Sequence, residues 1–422
     1  MKPKLETLKN NLRVLFTPLP SLNSVTAIVL VGAGSRYEKR EENGVAHFLE
    51  HMVFKGTKRR PTTLEISSMI DGIGGEFNAF TSKEYTGFYI KAASKHIDLV
   101  LDILSDMLLN SKFDQEEIER ERGVIFEELR MYLDTPMRHA GDLFEELLYG
   151  DQPLGWNIIG TTASLKNINR DSFLSYLNRF YNPANIIVTI AGGLAEEKTS
   201  LLVNKYFGEL PNKKAGSFKP VTFKQEKPAV KIFNKKTEQA HLCLGVRSYP
   251  RGHKNRYKAA LLNTILGSSM SSRLFIQLRE RRGLAYYVRS GIDEYYDTGF
   301  FVAQAGVKLS KIDEAIKVIL GEFNTLVQEK ISEKEIKKAK EYIKGKLVLG
   351  LEDSQEVAAF FGSQELLERK IRTPEELARE IDAVSAADVK AVASEIFKNS
   401  GLNLAVMGPY ENKERFGKIL KF

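Results

Sequence analysis

The chain has 422 residues, which is more than one ordinary hydrophobic core accommodates, so its length favours two or three domains. Hydrophobic residues make up 43% and charged residues 27%, a balance that is normal for a globular protein and excludes a disordered one. The net charge of +8 comes from basic residues mixed with acidic ones, without a cluster of basic and aromatic side chains, so we expect no nucleic-acid partner.

The sequence also bears on the compartment. No apolar run approaches the roughly 18 residues of a membrane span, and the segment MKPKLETLKNNLRVLF has neither the apolar stretch nor the cleavage site of a signal peptide. The single cysteine, Cys243, lies in the apolar run HLCLGV, where we expect a buried thiol without an intrachain disulfide. These features predict a cytoplasmic protein with no membrane partner.

The first half of the chain alternates strands and helices. TAIVLVGAG (26–34) and NIIVTIAGG (185–193) are continuous apolar runs typical of buried strands. The predicted helices between them are at 44–55, 63–72, 96–109, 115–133 and 170–180. A stretch rich in proline, glycine and lysine follows without periodicity and predicts a linker at 213–228.

After the linker the order of elements is repeated. KIFNKKTEQAHLCLGVRSYP contains a strand like the first one, and GLNLAVMGP (401–409) corresponds to NIIVTIAGG. Helical segments lie between them at 255–266, 311–328 and 333–347. A period of about 200 residues is too long for a solenoid. It predicts two similar domains, at 1–212 and 229–422.

Two of the six histidines lie close together in NGVAHFLEHMVFKG. On a helix His47, Glu50 and His51 share one face, because positions i, i+3 and i+4 are neighbours. The opposite, core-facing stripe consists of Val45, Phe48, Leu49, Met52 and Val53. Asn43 is the expected N-cap and Gly56 the expected stop. Both histidines are therefore expected on the solvent side of this helix.

This arrangement has the chemistry of a zinc site. Two neutral imidazoles one turn apart can bind one zinc ion, and a catalytic zinc takes three protein ligands and one water. Glu50 is placed to take a proton from the zinc-bound water, whose pKa the metal lowers towards neutrality. The order His-x-x-Glu-His is the inverted zincin signature. A solvent-facing helix with chance histidines is the alternative, and the spacing around Glu50 favours the metal site.

The third ligand is expected on the acidic helix DQEEIERERGVIFEELRMYL. Glu121 and Glu128 are two turns apart and share its inward face, whereas Glu127 points about 100° away from Glu128. The apolar residues of that face are Ile125, Leu129 and Tyr132. Carboxylates in such surroundings are costly unless they are paired or metal-bound. Glu128 is therefore the expected ligand, and Glu121 a catalytic-site carboxylate that orients a histidine or the water. A merely solvated acidic helix is the alternative.

With these residues the chain resembles the family of pitrilysin, insulysin and the mitochondrial processing peptidase. The resemblance covers nearly the whole chain, and it rests on the blocks HFLEHMVFKGT, GGEFNAFTSKEYTGFY, ERGVIFEEL and SSRLFIQLRERRGLAYYV, in this order. It implies an α+β fold in which each of the two similar domains is an antiparallel sheet backed by helices. Residues 1–212 would form the zinc-binding peptidase domain. The chain's size is similar to that of the short-chain branch, in which two subunits close like a clamshell around a chamber.

The resemblance further implies a zinc endopeptidase that hydrolyses unfolded peptides, works as a homodimer and binds one zinc per chain. Asn78 and Ala79 would lie on an edge strand that pairs with the substrate backbone, and an ordinary edge strand is the alternative. Arg279 and Tyr286 match a pair that donates hydrogen bonds near the scissile carbonyl; a salt-bridged arginine and a core tyrosine are the alternatives. Two other functions stay open. One is a non-catalytic core or regulatory subunit, which usually has a damaged metal motif, and the other is a metal-binding module, which would not need Glu50.

Overall fold

The computed structural model describes residues 1–213 and 216–422, which form two compact units. Unit 1 consists of Met1–Leu129, Trp156–Lys219 and Val348–Pro374. Unit 2 consists of Arg130–Gly155, Pro220–Leu347 and Glu375–Phe422. Residues 214 and 215 of the predicted linker at 213–228 lie outside the described residues, and the described remainder of that linker contains neither helix nor strand.

Each unit is built on one sheet. The strands of unit 1 are β1 (Lys4–Thr7), β2 (Arg13–Pro18), β3 (Ser24–Val31), β4 (Glu76–Thr81), β5 (Thr86–Ala93) and β6 (Ile186–Gly192), in the order β1-β2-β6-β3-β5-β4. The strands of unit 2 are β7 (Ala229–Asn234), β8 (Gln239–Ser248), β9 (Ala285–Glu294), β10 (Gly299–Lys308) and β11 (Asn403–Gly408), in the order β7-β11-β8-β10-β9. Neighbouring strands are antiparallel except for one parallel pair in each sheet, β2 with β6 and β7 with β11.

Helices account for most of the remaining chain. In chain order they are α1 (Val45–Met52), α2 (Thr63–Asp71), α3 (Ile97–Asn110), α4 (Gln115–Leu133), α5 (Pro136–Tyr149), α6 (Thr162–Asn167), α7 (Arg170–Phe180), α8 (Glu196–Phe207), α9 (Arg256–Gly267), α10 (Ile312–Gln328), α11 (Glu333–Gly350), α12 (Ser354–Glu368), α13 (Pro374–Asp382), α14 (Ala386–Ile396) and α15 (Lys413–Ile419). Within the described residues, no helix combines the length and apolar character that a bilayer crossing requires.

The two sheets share one topology. Strands β2, β6, β3, β5 and β4 correspond to β7, β11, β8, β10 and β9, and the single parallel pair falls at the same place in each sheet. The prediction of two similar α+β domains is therefore confirmed. The predicted strand at 185–193 is β6 and the one at 401–409 is β11, so the repeated apolar runs are equivalent strands.

Each sheet is covered on one face by a helix from the other half of the sequence. In unit 1, α12 packs on β3 and β6, and Val357 and Phe361 belong to the same buried apolar cluster as Ile28 and Leu30. In unit 2, α5 packs on β8 and β11 and buries Cys243, which is a free thiol as predicted. Helix α12 thus belongs to unit 1 although it lies outside the predicted range 1–212, and α5 belongs to unit 2 although it lies outside 229–422. Both sheets have apolar side chains on both faces, and these helices cover the second face.

Candidate metal centre

The helix α1 follows the predicted amphipathic pattern only on one side. The five apolar residues of its core-facing stripe are 1% exposed or less. On the other face the side chain of His51 is 21% exposed. His47 is only 8% exposed, so the prediction that both histidines face solvent is wrong for this residue, because Glu128 of α4 lies over it. The helix ends at Met52, four residues before Gly56, the expected stop.

The N-terminus of α1 is capped differently from the prediction. Gly44, not Asn43, is the N-cap residue. The carboxylate of Glu38 accepts hydrogen bonds from the backbone N–H of Gly44 and of Ala46, each at 2.8 Å. Asn43 donates its side-chain amide to the same carboxylate at 2.9 Å. Burial raises the pKa of Glu38 to about 8, although these three donors favour its charged form.

Two glycines hold the same end of α1 against a neighbouring loop. Gly44 has φ +98° and Gly160 has φ +93°, a region that L side chains rarely adopt. A Cβ atom at Gly44 would lie 2.2 Å from the carbonyl oxygen of Ile159, and one at Gly160 would lie 2.3 Å from that of Asn43. The two backbones are therefore in direct contact, three residues before His47.

The predicted ligands His47, His51 and Glu128 come together. Nε2 of His47 lies 3.6 Å from Oε1 of Glu128, and Nε2 of His51 lies 3.4 Å from Oε2 of Glu128. One ligand atom from each of the three residues lies within 4.8 Å of the others, and two imidazoles with one carboxylate are a known ligand set of catalytic zinc, so this donor set fits zinc. In the described parts of the chain, no other group of three histidine, cysteine or acidic side chains converges in this way.

A carboxylate and a lysine support His51 from behind. Oε1 of Glu121 lies 2.8 Å from Nδ1 of His51, and Nζ of Lys55 lies 2.6 Å from Oε2 of Glu121. Assigning the proton to Nδ1 on the basis of this contact leaves Nε2 free to bind a metal. Glu121 thus contacts a histidine, one of the two roles expected for it. Lys55 was not predicted, because no local spacing rule connects it to a carboxylate 66 positions along the chain.

The charges of these groups depend on one another. Burial by itself would lower the pKa of His51, but hydrogen bonds with Glu121 and Glu128 outweigh it and raise that pKa to about 9. Burial would raise the pKa of Glu128, but the contacts with His47 and His51 hold it well below the usual range. In the absence of a metal, the positive charge of protonated His51 therefore compensates the negative charges of Glu121 and Glu128, as a bound cation would.

Glu50 shares the histidine face of α1 but does not belong to the converging group. Its Oε2 accepts a hydrogen bond of 2.6 Å from Oγ1 of Thr81, the last residue of β4. Glu50 is half-buried, and its carboxylate is therefore oriented by a neighbouring strand. Thr81 lies within a block that the sequence singled out, GGEFNAFTSKEYTGFY, but its contact with Glu50 was not predicted.

The remaining predicted residues lie on a strand edge in unit 1 and on a π-helical segment and the following strand in unit 2. Asn78 and Ala79 are on β4, which pairs with β5 on one side and ends the sheet. Arg279 lies in a π-helical segment, Phe275–Glu280, and donates from Nη1 to the carbonyl of Tyr286 at 2.8 Å. Tyr286 is 73% exposed, so it is not the core tyrosine of the alternative interpretation. The structure thus brings Arg279 and Tyr286 together.

The fold and the donor set define a class of protein in which two helices beside a mixed sheet bring together three side chains that could hold a metal ion. Residues 13–162 match the insulinase domain of peptidase family M16, and residues 167–343 match the domain described as the peptidase M16 inactive domain. The chain therefore belongs to peptidase family M16, which confirms the resemblance to the pitrilysin and processing-peptidase family.

Several relatives are similar over nearly their whole length. The chain is 39% identical over 408 residues to a Bacillus subtilis protein named uncharacterized zinc protease YmxG, covering 96% of this chain and 98% of that one. It is 35% identical over 424 residues to an uncharacterized zinc protease of Mycobacterium leprae, covering 98% and 94%. A solved structure of a protease from Helicobacter pylori has a TM-score of 0.90 at 25% identity, covering 97% of this chain and 99% of that one.

Proposed function

We propose that this protein is a zinc-dependent endopeptidase that hydrolyses unfolded peptides. The observation that carries the proposal is the convergence of His47, His51 and Glu128, whose ligand atoms lie within 4.8 Å of one another, beside a glutamate that does not join them. The names of the relatives, which are zinc proteases, support the same function. The intact set, including Glu50, argues against a non-catalytic subunit.

Each residue near this centre has a distinct chemical task in the proposal. A bound zinc ion supplies a Lewis acid that lowers the pKa of water and polarises a carbonyl. Glu50 takes the proton from the attacking water and passes it to the departing amine, which is general base and then general acid catalysis. Glu121 and Lys55 keep His51 oriented, because they fix its Nδ1 side.

The substrate would bind as an added strand. The free edge of β4 exposes backbone groups that can pair with an extended peptide, and such pairing makes little demand on sequence. Oδ1 of Asn78 accepts a hydrogen bond of 2.8 Å from the N–H of Ala79, a bond that a substrate carbonyl would replace. Arg279 and Tyr286 would donate hydrogen bonds near the scissile carbonyl, where negative charge develops.

We further propose that two copies of the chain form a homodimer with one zinc per chain and enclose the peptide in a chamber. Strand addition and enclosure both require an extended substrate, so compact folded proteins should resist cleavage. The proposed partners are therefore peptide substrates and a second copy of the chain, in the cytoplasm.

The decisive experiment digests a library of unstructured peptides with the purified protein, with and without a chelator, and maps the cuts by mass spectrometry. The Glu50→Gln variant should keep its zinc, measured by elemental analysis, and lose nearly all hydrolysis. His47→Ala, His51→Ala and Glu128→Ala should lose zinc. Glu127→Gln is the matched control, because this exposed neighbour of Glu128 does not join the converging group and should leave both readouts unchanged.

The outcomes separate the three functions. Chelator-sensitive cleavage that requires Glu50 supports the peptidase. Zinc binding without cleavage, and with no effect of Glu50→Gln, would identify a metal-binding module. A chain that binds no zinc and cleaves nothing would be a non-catalytic subunit.

A further inference from the structure

We propose that Thr81 is a positioning residue for Glu50. Its hydroxyl holds one oxygen of the Glu50 carboxylate, so that the other oxygen is presented to the reacting water. This inference rests on the proposed peptidase function and names a residue that the ligand set and the resemblance leave without a role.

The contact joins two elements that are distant in the sequence. Oγ1 of Thr81 at the end of β4 donates to Oε2 of Glu50 on α1 over 2.6 Å. Phe77 lies on the same side of β4 as Thr81, because side chains alternate along a strand, and its ring packs 5.6 Å from that of Phe54, just after α1. The strand and the helix are thus held together at more than one point.

The chemistry of the two groups gives the contact its consequence. A carboxylate accepts hydrogen bonds only, and a threonine hydroxyl has one proton to donate, which here goes to Oε2. A hydrogen bond to a charged oxygen is among the stronger ones in proteins, so it holds that oxygen in place. The direction of Oε1 of Glu50 is then fixed as well, because the carboxylate cannot rotate without breaking the bond.

The position of Thr81 also couples the base to the substrate. Asn78 and Ala79, on whose strand edge the peptide would pair, are three and two residues before Thr81 on β4. A peptide that displaced β4 would therefore displace the hydroxyl that orients Glu50. Strand pairing and alignment of the base would share one structural element, which suits an enzyme whose substrates are selected by backbone shape.

Isosteric variants test the role. Thr81→Val keeps the shape and the branched Cβ but removes the hydroxyl, and Thr81→Ser restores the hydroxyl. We expect Thr81→Val to lower kcat about 10- to 100-fold with KM changed less than threefold, since a hydrogen bond to a charged group is lost. Thr81→Ser should recover kcat to within about fivefold of the unmodified protein. Thr86→Val is the matched control, because Thr86 pairs with Thr81 in the sheet but donates to the carbonyl of Ala33.

Two readouts besides the rate separate positioning from general damage. Zinc content and affinity should be equal in the Thr81 variants, because no ligand is touched. Crystal structures should show the Glu50 carboxylate in one orientation in Thr81→Ser and rotated or disordered in Thr81→Val.

Full kcat in Thr81→Val, or an equal loss in Thr86→Val, would overturn the inference while leaving the peptidase function intact. An unmodified protein that holds zinc but hydrolyses no peptide would overturn the proposed function, and the inference with it.

Discussion

Replacing Gly44 with alanine would show whether the contact between two backbones holds the helix of His47 and His51 in place. The φ of +98° costs an alanine about 1–2 kcal/mol relative to glycine. The new Cβ would lie 2.2 Å from the carbonyl oxygen of Ile159, where ordinary contacts begin at 3.4 Å, so one backbone must move by about 1 Å. Overpacking of this kind costs about 1–3 kcal/mol. We expect a total loss of about 2–5 kcal/mol in the free energy of unfolding.

Three other glycines of unit 1 make this a controlled series. Gly160→Ala meets the same contact from the opposite side, with φ +93° and a carbonyl at 2.3 Å, and should cost as much as Gly44→Ala. Gly74 has φ +64° but no atom within 4 Å of the position that a new methyl group would take, so its alanine variant should cost only the conformational 1–2 kcal/mol. Gly123 lies in α4 with open space around it, and Gly123→Ala should stabilise the protein by about 0.5–1 kcal/mol.

Urea denaturation with a chelator present measures the four unfolding free energies without the contribution of bound zinc. A second measurement gives the zinc affinity of each folded variant. Gly44→Ala and Gly160→Ala should weaken zinc binding, because the contact lies three residues before His47, whereas Gly74→Ala should not. An unfolding cost of Gly44→Ala no larger than that of Gly74→Ala would show that the backbone contact does not stabilise the helix. A Gly44→Ala variant that unfolds more easily but binds zinc with unchanged affinity would show that the contact does not position the histidines.

Three further predictions concern the metal and the assembly. The pKa of His51 is about 9 without metal, so zinc must displace a proton below that pH, and the Kd of zinc should fall about tenfold per pH unit between pH 6 and 8. Calorimetry in buffers of different ionisation enthalpy should detect about one released proton, and a pH-independent Kd would contradict this. Lys55→Met removes the cation 2.6 Å from Glu121 and should weaken zinc binding about 10-fold in a competition titration. An unchanged zinc affinity would show that Glu121 does not need the ion pair with Lys55 to orient His51. If a homodimer combines the zinc centre of one chain with Arg279 of the other, inactive Glu50→Gln and Arg279→Ala chains should regain peptide hydrolysis after subunit exchange, and proven mixed dimers without activity would exclude this arrangement.

Local periodicity was sufficient to predict much of unit 1. The stripe of α1 that packs on the core, the bounds of α4 at 115–133 and those of α7 at 170–180 follow from the spacing of apolar residues, which the structure reproduces. The shared face of His47 and His51 is also a local property, because one helical turn brings positions i and i+4 together. Glu128 could be proposed because a seven-residue spacing from Glu121 puts both carboxylates on one side of α4.

What failed depended on tertiary contacts. Asn43 was the expected cap because asparagine often caps helices. In the structure the buried carboxylate of Glu38 accepts the hydrogen bonds of the N–H groups of Gly44 and Ala46 instead. His47 was expected to face solvent because its own helix does not bury it, whereas α4 does. The contact of Thr81 with Glu50 spans 31 positions, and no periodicity in either segment contains it.

The exchange of helices between the two halves was equally hidden, because an amphipathic helix such as α12 shows which of its faces is apolar but not which sheet it covers. This exchange has a testable consequence for the segment 1–212. Without α12, the face of the sheet formed by β3 and β6 loses the cover that keeps Ile28 and Leu30 at 1% exposure.

The free energy that α12 contributes by burial is comparable to the whole stability of a domain. Val357, Phe361 and Leu366 of α12 are 5% exposed or less, and burying each such side chain contributes about 1.5–3 kcal/mol, or about 5–9 kcal/mol together. A domain is stable by about 5–15 kcal/mol in total. Residues 1–212 expressed alone should therefore lack cooperative unfolding and should bind a hydrophobic dye, while co-expression with residues 213–422 should restore a compact complex, because α12 and α5 are then both present. Size-exclusion chromatography measures compactness, and urea denaturation measures the cooperativity of unfolding. An isolated segment 1–212 that unfolds cooperatively and binds zinc as tightly as the whole chain would show that α12 is dispensable.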